Sequence, residues 1–502
     1  MKKSLVAVGV IVALGAVWAG SAWYTGKQLE PRLDELLAQA NAQLDRAAPQ
    51  AGLVLSYQNY QRGVFSSDLQ LIASPKPGVA NGWLKPGDSV TFKEKIDHGP
   101  FPLMSLAKFN LLPAMGAVST TLENTPTSAR LFAAANGKAP FELQTRVGYS
   151  GSTRYDATIN PLSMDSAKGK FALGAGDFTV KADSDQNDMA ITGQLDSGLF
   201  STINDYDQQV QFTTGKLTLD GNTSLSSFAE RIGKQSLTLD KLAIAVEGKE
   251  LAIVEGVKID ANTDADKDGK SLNGQIDYSL DALKMQNRNL GSGKLHVAIS
   301  KLDGTAMHQF SQALEQQQQA IQKDPALAND PQKQQQKAIQ AITDNLPLLL
   351  KGNPVVNVSP LSWKNDKGEA TANLTLALKD PAGQPVTAAT AENQLDRLVR
   401  SLDLKLNIPL DVANAFMTEI AQLEGYQESD AAKLAEQQVK GVSAMGQMFQ
   451  ITTEKDNAIQ TSVKYANGQV NINGRTMSLD DFIGKYTLPT GVIPDANSPS
   501  LQ

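Results

Sequence analysis

Histidine is the side chain best suited to acid–base chemistry near neutral pH, and this sequence contains three. His98 lies in IDHGPFPL, where Asp97 could orient its ring and the Gly99-Pro100 turn would stiffen the segment. A dyad completed by a distant serine is conceivable, but no G-x-S-x-G motif accompanies it. We therefore expect His98 to be structural and hydrogen-bonded to backbone.

The other two histidines carry weaker signals. His296 alternates with apolar residues in KLHVAIS, which is typical of the solvent-facing side of a strand. His308 stands at the start of an amphipathic helical pattern, far along the chain from the others. The histidines therefore predict no catalytic residue.

The segment DADKDG resembles the start of a calcium-binding loop, with Asp264, Asp266 and Asp268 at alternate positions before Gly269. The bidentate glutamate that such a loop needs is replaced by Gln275, and strand-like sequence flanks the segment instead of helices. Aspartates with a glycine also suit a hairpin turn, so we predict a solvated turn and no metal site.

Other familiar chemistries lack the residues they require. Cysteine is absent, which excludes disulfides, thiolate metal sites and cysteine nucleophiles. GSGK at residues 291–294 lacks the spacing of a phosphate-binding loop and leads into strand-like sequence. We predict no cofactor. The net charge of −7 also argues against a broad basic surface for nucleic acid.

The N-terminus predicts a membrane anchor. Lys2 and Lys3 precede residues 4–26, which carry no charge and are long enough to cross a bilayer. Aromatic residues cluster at the distal end of this span, as they do at membrane interfaces: Trp18, Trp23 and Tyr24. The two lysines keep the N-terminus in the cytoplasm and export the rest of the chain. The alternative is a cleaved signal peptide, since residues 20–22 are small.

Residues 53–71 predict a half-buried hairpin that follows a helix directly. Alternating apolar residues before and after Gly63 indicate two strands with one buried face. We expect the inward set to be Leu53, Leu55, Tyr57, Phe65, Leu69 and Leu71. We expect Ser67, Asp68 and Gln70 to face solvent. Residues 353–380 repeat the arrangement after a second helical region, with Gly368 in the place of Gly63.

The whole chain predicts an α+β protein dominated by antiparallel β-sheet, with a single N-terminal transmembrane helix, an extended β-sheet body, a helical pair and a C-terminal α/β portion. The expected divisions are a transmembrane anchor at 1–26, a helical stalk at 27–50, a β-rich domain at 51–302, a helical pair at 303–352, a helix-plus-hairpin domain at 353–488 and a flexible tail at 489–502.

Several segments strongly resemble a family of bacterial envelope proteins classed as a domain of unknown function. Among them are KSLVAVGVIVALGAVW, SYQNYQRGVFSSDLQL, DHGPFPL, LSWKN and LEGYQ. The resemblance implies an inner-membrane protein facing the periplasm and brings no catalytic residues with it. The first 75 or so residues are also similar, as a pattern of residue classes, to AsmA-like envelope proteins, which implies a β-rich body with an apolar groove for lipid.

Three classes of function stay open. The first is a non-enzymatic binding or scaffold module that contacts envelope proteins or its own copy as a homodimer. The second is an AsmA-like protein that handles lipid or acyl chains in an apolar groove. The third is a hydrolase or metal enzyme using His98 or the aspartates of 264–268. A continuous apolar groove would favour the second class, and a filled core would exclude it.

Overall fold

The computed structural model describes residues 17–48, 51–77, 82–167, 169–324, 327, 330–382 and 391–486. The helices are α1 (17–29), α2 (Leu33–Ala47, after a 3-10 turn at Glu30–Arg32), α3 (Leu103–Ala107), α4 (Ala129–Ala134), α5 (Gly304–Lys323), α6 (Pro331–Leu349), α7 (Ala391–Leu398), α8 (Leu410–Leu423), α9 (Glu428–Met448) and α10 (Leu479–Tyr486).

The strands account for most of the remaining chain. They are β1 (Leu53–Arg62), β2 (Ser66–Pro75), β3 (Val90–His98), β4 (Gly116–Leu122), β5 (Phe141–Val147), β6 (Thr153–Ile159), β7 (Leu162–Ser166), β8 (Gly169–Leu173), β9 (Gly176–Ala182), β10 (Met189–Leu195), β11 (Gly198–Ile203), β12 (Gln209–Thr214), β13 (Leu217–Leu225), β14 (Arg231–Val246), β15 (Lys249–Ala265), β16 (Ser271–Met285), β17 (Arg288–Asp303), β18 (Val355–Asn365), β19 (Gly368–Leu378), β20 (Val399–Pro409), β21 (Thr453–Lys455), β22 (Ala458–Ala466), β23 (Gln469–Ile472) and β24 (Arg475–Ser478). The prediction of a mainly antiparallel β protein with several helices is confirmed.

The chain divides into two compact units. Unit 1 comprises residues 1–260 and 312–342, and unit 2 comprises residues 261–311 and 343–502. The domain boundaries predicted from the sequence do not coincide with the boundaries of these two units, and the predicted domains stay predictions.

Unit 1 is built on an antiparallel meander. Strands β1 to β6 pair in chain order, and β6 then pairs with β9, β9 with β10, β10 with β13, and β13 with β14. The last part of β14, residues 242–246, pairs instead with β12, which continues to β11, β8 and β7. The length of β14 therefore allows one strand to hold two groups of partners.

Unit 2 contains a second antiparallel series. Strands β16, β17, β18, β19, β20, β22, β23 and β24 pair in that order, and β21 pairs with the start of β22. Local chemistry fixes its turns: Asn467 and Gly468 both have positive φ in the β22–β23 hairpin, as the Asn-Gly pair predicts. Ser478 caps the start of α10, because the Asp481 amide donates to Ser478 Oγ at 3.0 Å.

The first helices lie along the edge of the unit 1 sheet. The Asn41 side chain exchanges two hydrogen bonds with the backbone of Leu55, at 2.7 and 2.9 Å, and the Tyr57 hydroxyl lies 3.0 Å from Asp34. Nearer the N-terminus, the Trp18 ring packs 4.8 Å from the Phe65 ring. The helix predicted from residue 27 is therefore present and is attached to β1 by side-chain contacts.

Two predicted terminal features fall largely outside the described residues. Residues 1–16 of the expected membrane anchor and residues 489–502 of the expected tail are not described. Within the described ranges, no helix combines the length and apolar character needed to cross a membrane.

Candidate functional site

One face of the unit 2 sheet is lined by apolar side chains that stand in register across neighbouring strands. The central row is Ile276, Val297, Val358, Leu374, Leu404, Val463 and Ile472. A second row is Ile299, Val356, Leu376, Leu402, Tyr465 and Val470. A third is Tyr278, Leu295, Leu361, Ala372 and Leu406. We call these three rows together the apolar face of unit 2.

The opposite side of the same strands is polar. The row between the first two apolar rows, on the other face, is Gln275, Ala298, Asn357, Thr375, Asp403 and Lys464. Because side chains alternate between faces along a strand, this division follows directly from the period-two pattern of each segment. The sheet is therefore amphipathic over six consecutive strands.

The apolar face is covered at its β22–β24 end. Tyr465, Val470 and Leu479 are buried there, and Phe482 and Ile483 of α10 pack against them. Ile472, which ends the central row, is only 2% exposed. This end of the face is ordinary protein core.

Helix α8 covers the strand ends beside the third row. Its Phe416 ring meets the Trp363 ring edge-on at 6.2 Å, and the Val412 carbonyl accepts a hydrogen bond from the Asn365 side chain. A Cβ on Gly368 would come within 3.2 Å of Val412, so the hairpin turn and the helix touch closely. Helix α8 thus closes one margin of the face.

The β16–β18 part of the apolar face is open. Ile276 is 36% exposed, Tyr278 40% and Leu361 49%, whereas Ile472 at the other end of the central row is 2% exposed. Val297, Val358 and Leu374 are each only partly buried. A contiguous exposed apolar surface of this kind is typical of a site that binds a ligand, a protein or a membrane.

Unit 1 repeats this design on a larger sheet. One row consists of Tyr57, Leu71, Phe92 and Leu122. Its continuation consists of Phe141, Ile159, Gly176, Leu195, Leu217 and Leu239. The Phe92 and Phe141 rings, 5.9 Å apart, join the two segments. Here Leu69 and Leu122 are buried, so the first strands of this face form a packed core.

Glu94 is a charged residue inside that packed region. Its neighbours across the sheet are Leu69 and Thr120, and the Thr120 hydroxyl donates to Glu94 Oε2 at 2.7 Å. Burial raises the pKa of Glu94 to about 7, against a smaller opposing contribution from that hydrogen bond. Glu94 was not among the residues expected to be functional. It could have been found from the sequence, because it lies two residues from both Phe92 and Ile96 and therefore on the inward side of β3.

His98 forms a buried pair with Ser67. The distance from Ser67 Oγ to His98 Nε2 is 2.9 Å, and His98 Nδ1 lies 3.2 Å from the Val64 carbonyl oxygen. A carbonyl oxygen only accepts hydrogen bonds, so Nδ1 of His98 carries the hydrogen. Burial lowers the pKa of His98, and Nε2 of the neutral ring accepts a hydrogen bond from the Ser67 hydroxyl. The predicted backbone hydrogen bond is confirmed.

The environment of this pair leaves no room for a substrate. Ser67 and His98 are both buried, and a Cβ on Gly26 of α1 would collide with the imidazole ring. The prediction that Ser67 faces solvent is wrong, because Ser67 shares the parity of Leu69 in β2 and therefore points inward. The orientation of His98 by Asp97 is also not observed: Asp97 Oδ2 accepts the Met104 amide at 2.6 Å.

The other sequence-predicted positions belong to unit 2. In the turn after β15, the Asp266 carboxylate accepts hydrogen bonds from the Ser271 hydroxyl and the Asn273 side-chain amide, at 2.8 and 2.9 Å. These side-chain hydrogen bonds lower the pKa of the Asp266 carboxyl. His296 Nδ1 lies 2.6 Å from Asp277 on the neighbouring strand.

Comparisons with known proteins agree with the resemblance seen in the sequence. The family described as "Bacterial protein of unknown function (DUF945)" matches residues 1–480. The chain is 51% identical over 494 residues to Protein YdgA of Escherichia coli (strain K12), with 98% of each chain covered. It is 30% identical over 486 residues to the uncharacterized protein YihF of the same strain, covering 95% of this chain and 98% of YihF. No solved structure matches the chain.

Proposed function

We propose that this chain, which belongs to the DUF945 family of bacterial proteins of unknown function, is a membrane-anchored envelope protein that binds lipid acyl chains. The binding surface is the open part of the apolar face of unit 2, and no chemical step takes place there. Of the functions that the sequence leaves open, this is the AsmA-like one.

The observation that carries the proposal is the exposure of Leu361, Tyr278 and Ile276 on a face whose other end, at Ile472, Tyr465 and Val470, is buried. Apolar surface left in water costs about 25 cal/mol per Å², so a ligand that covers it gains that free energy. The central row from β16 to β20 crosses four strand spacings of about 4.8 Å, or about 19 Å. An acyl chain that fills half of a bilayer core of about 30 Å has a similar length.

A lipid fits this surface better than a protein partner. The backbone groups of β17, β18 and β19 are already paired with neighbours on both sides, so the face offers side chains and no free sheet edge. Protein interfaces usually include a hydrogen bond for every 100–200 Å² or so. The three rows contain only apolar side chains apart from the Tyr278 and Tyr465 hydroxyls. A ligand without directional groups is therefore the better match.

Anchoring is part of the proposal and comes from the sequence. An uncharged span at residues 4–26 after two lysines supports an N-terminus in the cytoplasm and a periplasmic body. Alkaline carbonate washing of membranes should leave the full-length protein in the pellet. A mature N-terminus at Trp23 would instead show a cleaved signal peptide and would remove this part of the proposal.

Lipid binding can be tested with photocrosslinking in the full-length protein. Benzoylphenylalanine replaces Leu361 on the apolar face in one variant and Thr375 on the polar face in the control. We expect irradiated cells to yield lipid adducts at position 361 and not at 375. Protein adducts at 361 would favour the scaffold alternative, and equal labelling of both positions would overturn the proposal.

A second variant tests whether lipid binding depends on the apolar character of the face. Ile276→Gln with Leu361→Gln alters two residues that are already at least a third exposed, so folding should be retained. We expect the lipid that copurifies with the protein to fall severalfold, as measured by mass spectrometry. Asn357→Gln with Thr375→Gln on the other face should change nothing. Unchanged lipid in the first variant would contradict the proposed site.

A further inference from the structure

One end of the unit 1 sheet carries a group of exposed apolar side chains in a loop that is held in place. Between β3 and β4, Phe109 is 93% exposed, Leu111 69% and Leu112 67%. The loop is fixed by the Arg146 guanidinium, which donates to the carbonyls of Leu112 and Pro113 at 2.8 and 3.1 Å. Apolar residues presented on a fixed loop indicate a surface that contacts an apolar partner.

The backbone of this loop holds the Phe109 ring outward. Phe109 has φ +55°, a left-handed conformation that bulky residues rarely adopt. The Phe109 amide donates to the Leu106 carbonyl, and the Asn110 amide to Ser105, in a tight turn. Strain of this kind persists where surrounding contacts impose it, and it is enriched at functional positions.

The turn between β1 and β2 lies at the same end of the sheet. In an antiparallel meander, the β1–β2, β3–β4 and β5–β6 connections all fall at one end. A direct hydrogen bond links two of them, because the His98 amide donates to the Phe65 carbonyl at 2.8 Å. The exposed Val64 and Tyr149 therefore belong to the same end as the loop. We call this end, defined by residues 63–65, 99–115 and 148–152, the apolar tip.

The described part of helix α1 contacts the apolar tip. Trp18 packs on Phe65, Gly26 lies over His98, and Glu30 forms an ion pair with Arg62 at 3.5 Å. Further along, Asp45 contacts Lys76 at 2.8 Å, beyond the far end of β2. The helices thus run from the apolar tip toward the opposite end, and the uncharged N-terminal sequence joins unit 1 at the tip.

The length of the anchor then requires the tip to meet the membrane. Residues 4–16 are fewer than the roughly 20 residues that a helix needs to cross the hydrocarbon core. Completing the span takes the first turns of α1, and Trp18 and Ala22 are packed on the body. Placing these residues at the outer edge of the bilayer brings Phe65 and its neighbours to the same depth.

Side chains near the tip suit a lipid headgroup layer. Trp23 and Tyr24 are exposed aromatics, and Lys27 and Arg62 lie 5.3 and 5.9 Å from the Trp23 ring centre. Lys108 of the loop, which reaches the Gln144 side chain, adds a third cation beside Phe109. Aromatic rings and cations together are the usual composition of a membrane interface.

We infer that the apolar tip inserts into the outer leaflet of the membrane that anchors the protein, with Phe109, Leu111 and Leu112 below the headgroups. The tip is distinct from the apolar face of unit 2 and holds the body against the bilayer. This inference rests on the proposed anchoring and not on the proposed lipid binding.

The absence of cysteine makes the test direct, because a single introduced thiol can be labelled in the full chain. Phe109→Cys and Leu111→Cys carry an environment-sensitive dye in nanodiscs of phosphatidylethanolamine and phosphatidylglycerol with or without nitroxide lipid. Trp83→Cys is the matched control: it is 69% exposed and lies at the opposite end of the strands, where its amide donates to Ala51. We expect nitroxide lipid to remove most of the fluorescence at 109 and 111, with a blue-shifted spectrum, and little of it at 83.

Two results would overturn the inference. Equally weak quenching at positions 109 and 83 in carbonate-resistant, anchored protein would show that the tip stays in water. A label at 109 protected from aqueous iodide but unaffected by nitroxide lipid would show that a protein covers the tip. Either result leaves the crosslinking at Leu361 unaffected, so the two proposals fail separately.

Discussion

The two ends of the apolar face of unit 2 carry the same types of side chain but differ in how deeply those side chains are buried. At the β22–β24 end, α10 lies over the rows and Ile472 is almost fully buried. At the β16–β18 end, the same central row ends in an isoleucine, Ile276, that is more than a third exposed. The difference shows that an apolar strand face can be core or binding surface, according to the layer placed upon it.

The largest expected effect compares the two isoleucines of the central row directly. Ile472→Ala should lower the free energy of unfolding by about 2–5 kcal/mol, since it opens a cavity in packed core. Ile276→Ala should cost less than about 1 kcal/mol, because little packing is lost at an exposed position. Urea denaturation of both variants measures the contrast. Similar losses at the two positions would mean that the β16–β18 end is as packed as the other.

Glu94 tests the packed end of the unit 1 face. The carboxyl binds a proton more tightly in the folded protein, where its pKa is about 7, than in the unfolded chain, where it is about 4.5. The free energy of unfolding should therefore fall as the pH rises from about 4.5 to about 7 and level off above. Glu94→Gln removes this penalty and should stabilise the protein at pH 8 by up to about 3 kcal/mol, with little effect at pH 4.

Thermal melting at a series of pH values measures this effect. Glu142→Gln, on the exposed side of β5, is the control and should shift the melting temperature equally at every pH. A wild-type protein whose stability does not decrease between pH 5 and pH 7 would show that Glu94 is solvated and not part of a packed face.

Ser67 sharpens the comparison at the level of a single hydrogen bond. Ser67→Ala removes the partner of His98 Nε2 in a buried site and should cost about 1–3 kcal/mol. Ser66→Ala, on the other face of the same strand and only half-buried, should stay within about 0.5 kcal/mol. Chemical denaturation distinguishes them. Equal, small losses of stability in the two variants would mean that Ser67 faces solvent, as was expected from the sequence.

The smallest effect is expected at the turn after β15. Asp264→Asn with Asp268→Asn should leave the melting temperature unchanged whether calcium or a chelator is present. The reason is that Asp266, the central acidic residue, already accepts hydrogen bonds from Ser271 and Asn273 within its own turn. A calcium-dependent rise in the melting temperature that disappears in the double variant would reveal a cation site there.

Local patterns determined much of this fold. Alternating apolar residues correctly predicted the β1–β2 hairpin and the β18–β19 hairpin. The helices predicted within residues 303–352 are present as α5 and α6. These predictions succeed because the direction of a side chain from a strand or helix depends on its position within a few residues.

Contacts between distant segments decided the rest. The sequence marks Ile276 and Ile472 alike, yet Ile472 is almost fully buried and Ile276 is more than a third exposed. The burial of Ser67, its bond to His98 and the burial of Glu94 likewise arise from strands and a helix packed from elsewhere in the chain. Periodicity fixes which side of a strand is apolar, but burial depends on what lies above that side, and no stretch of neighbouring residues encodes it.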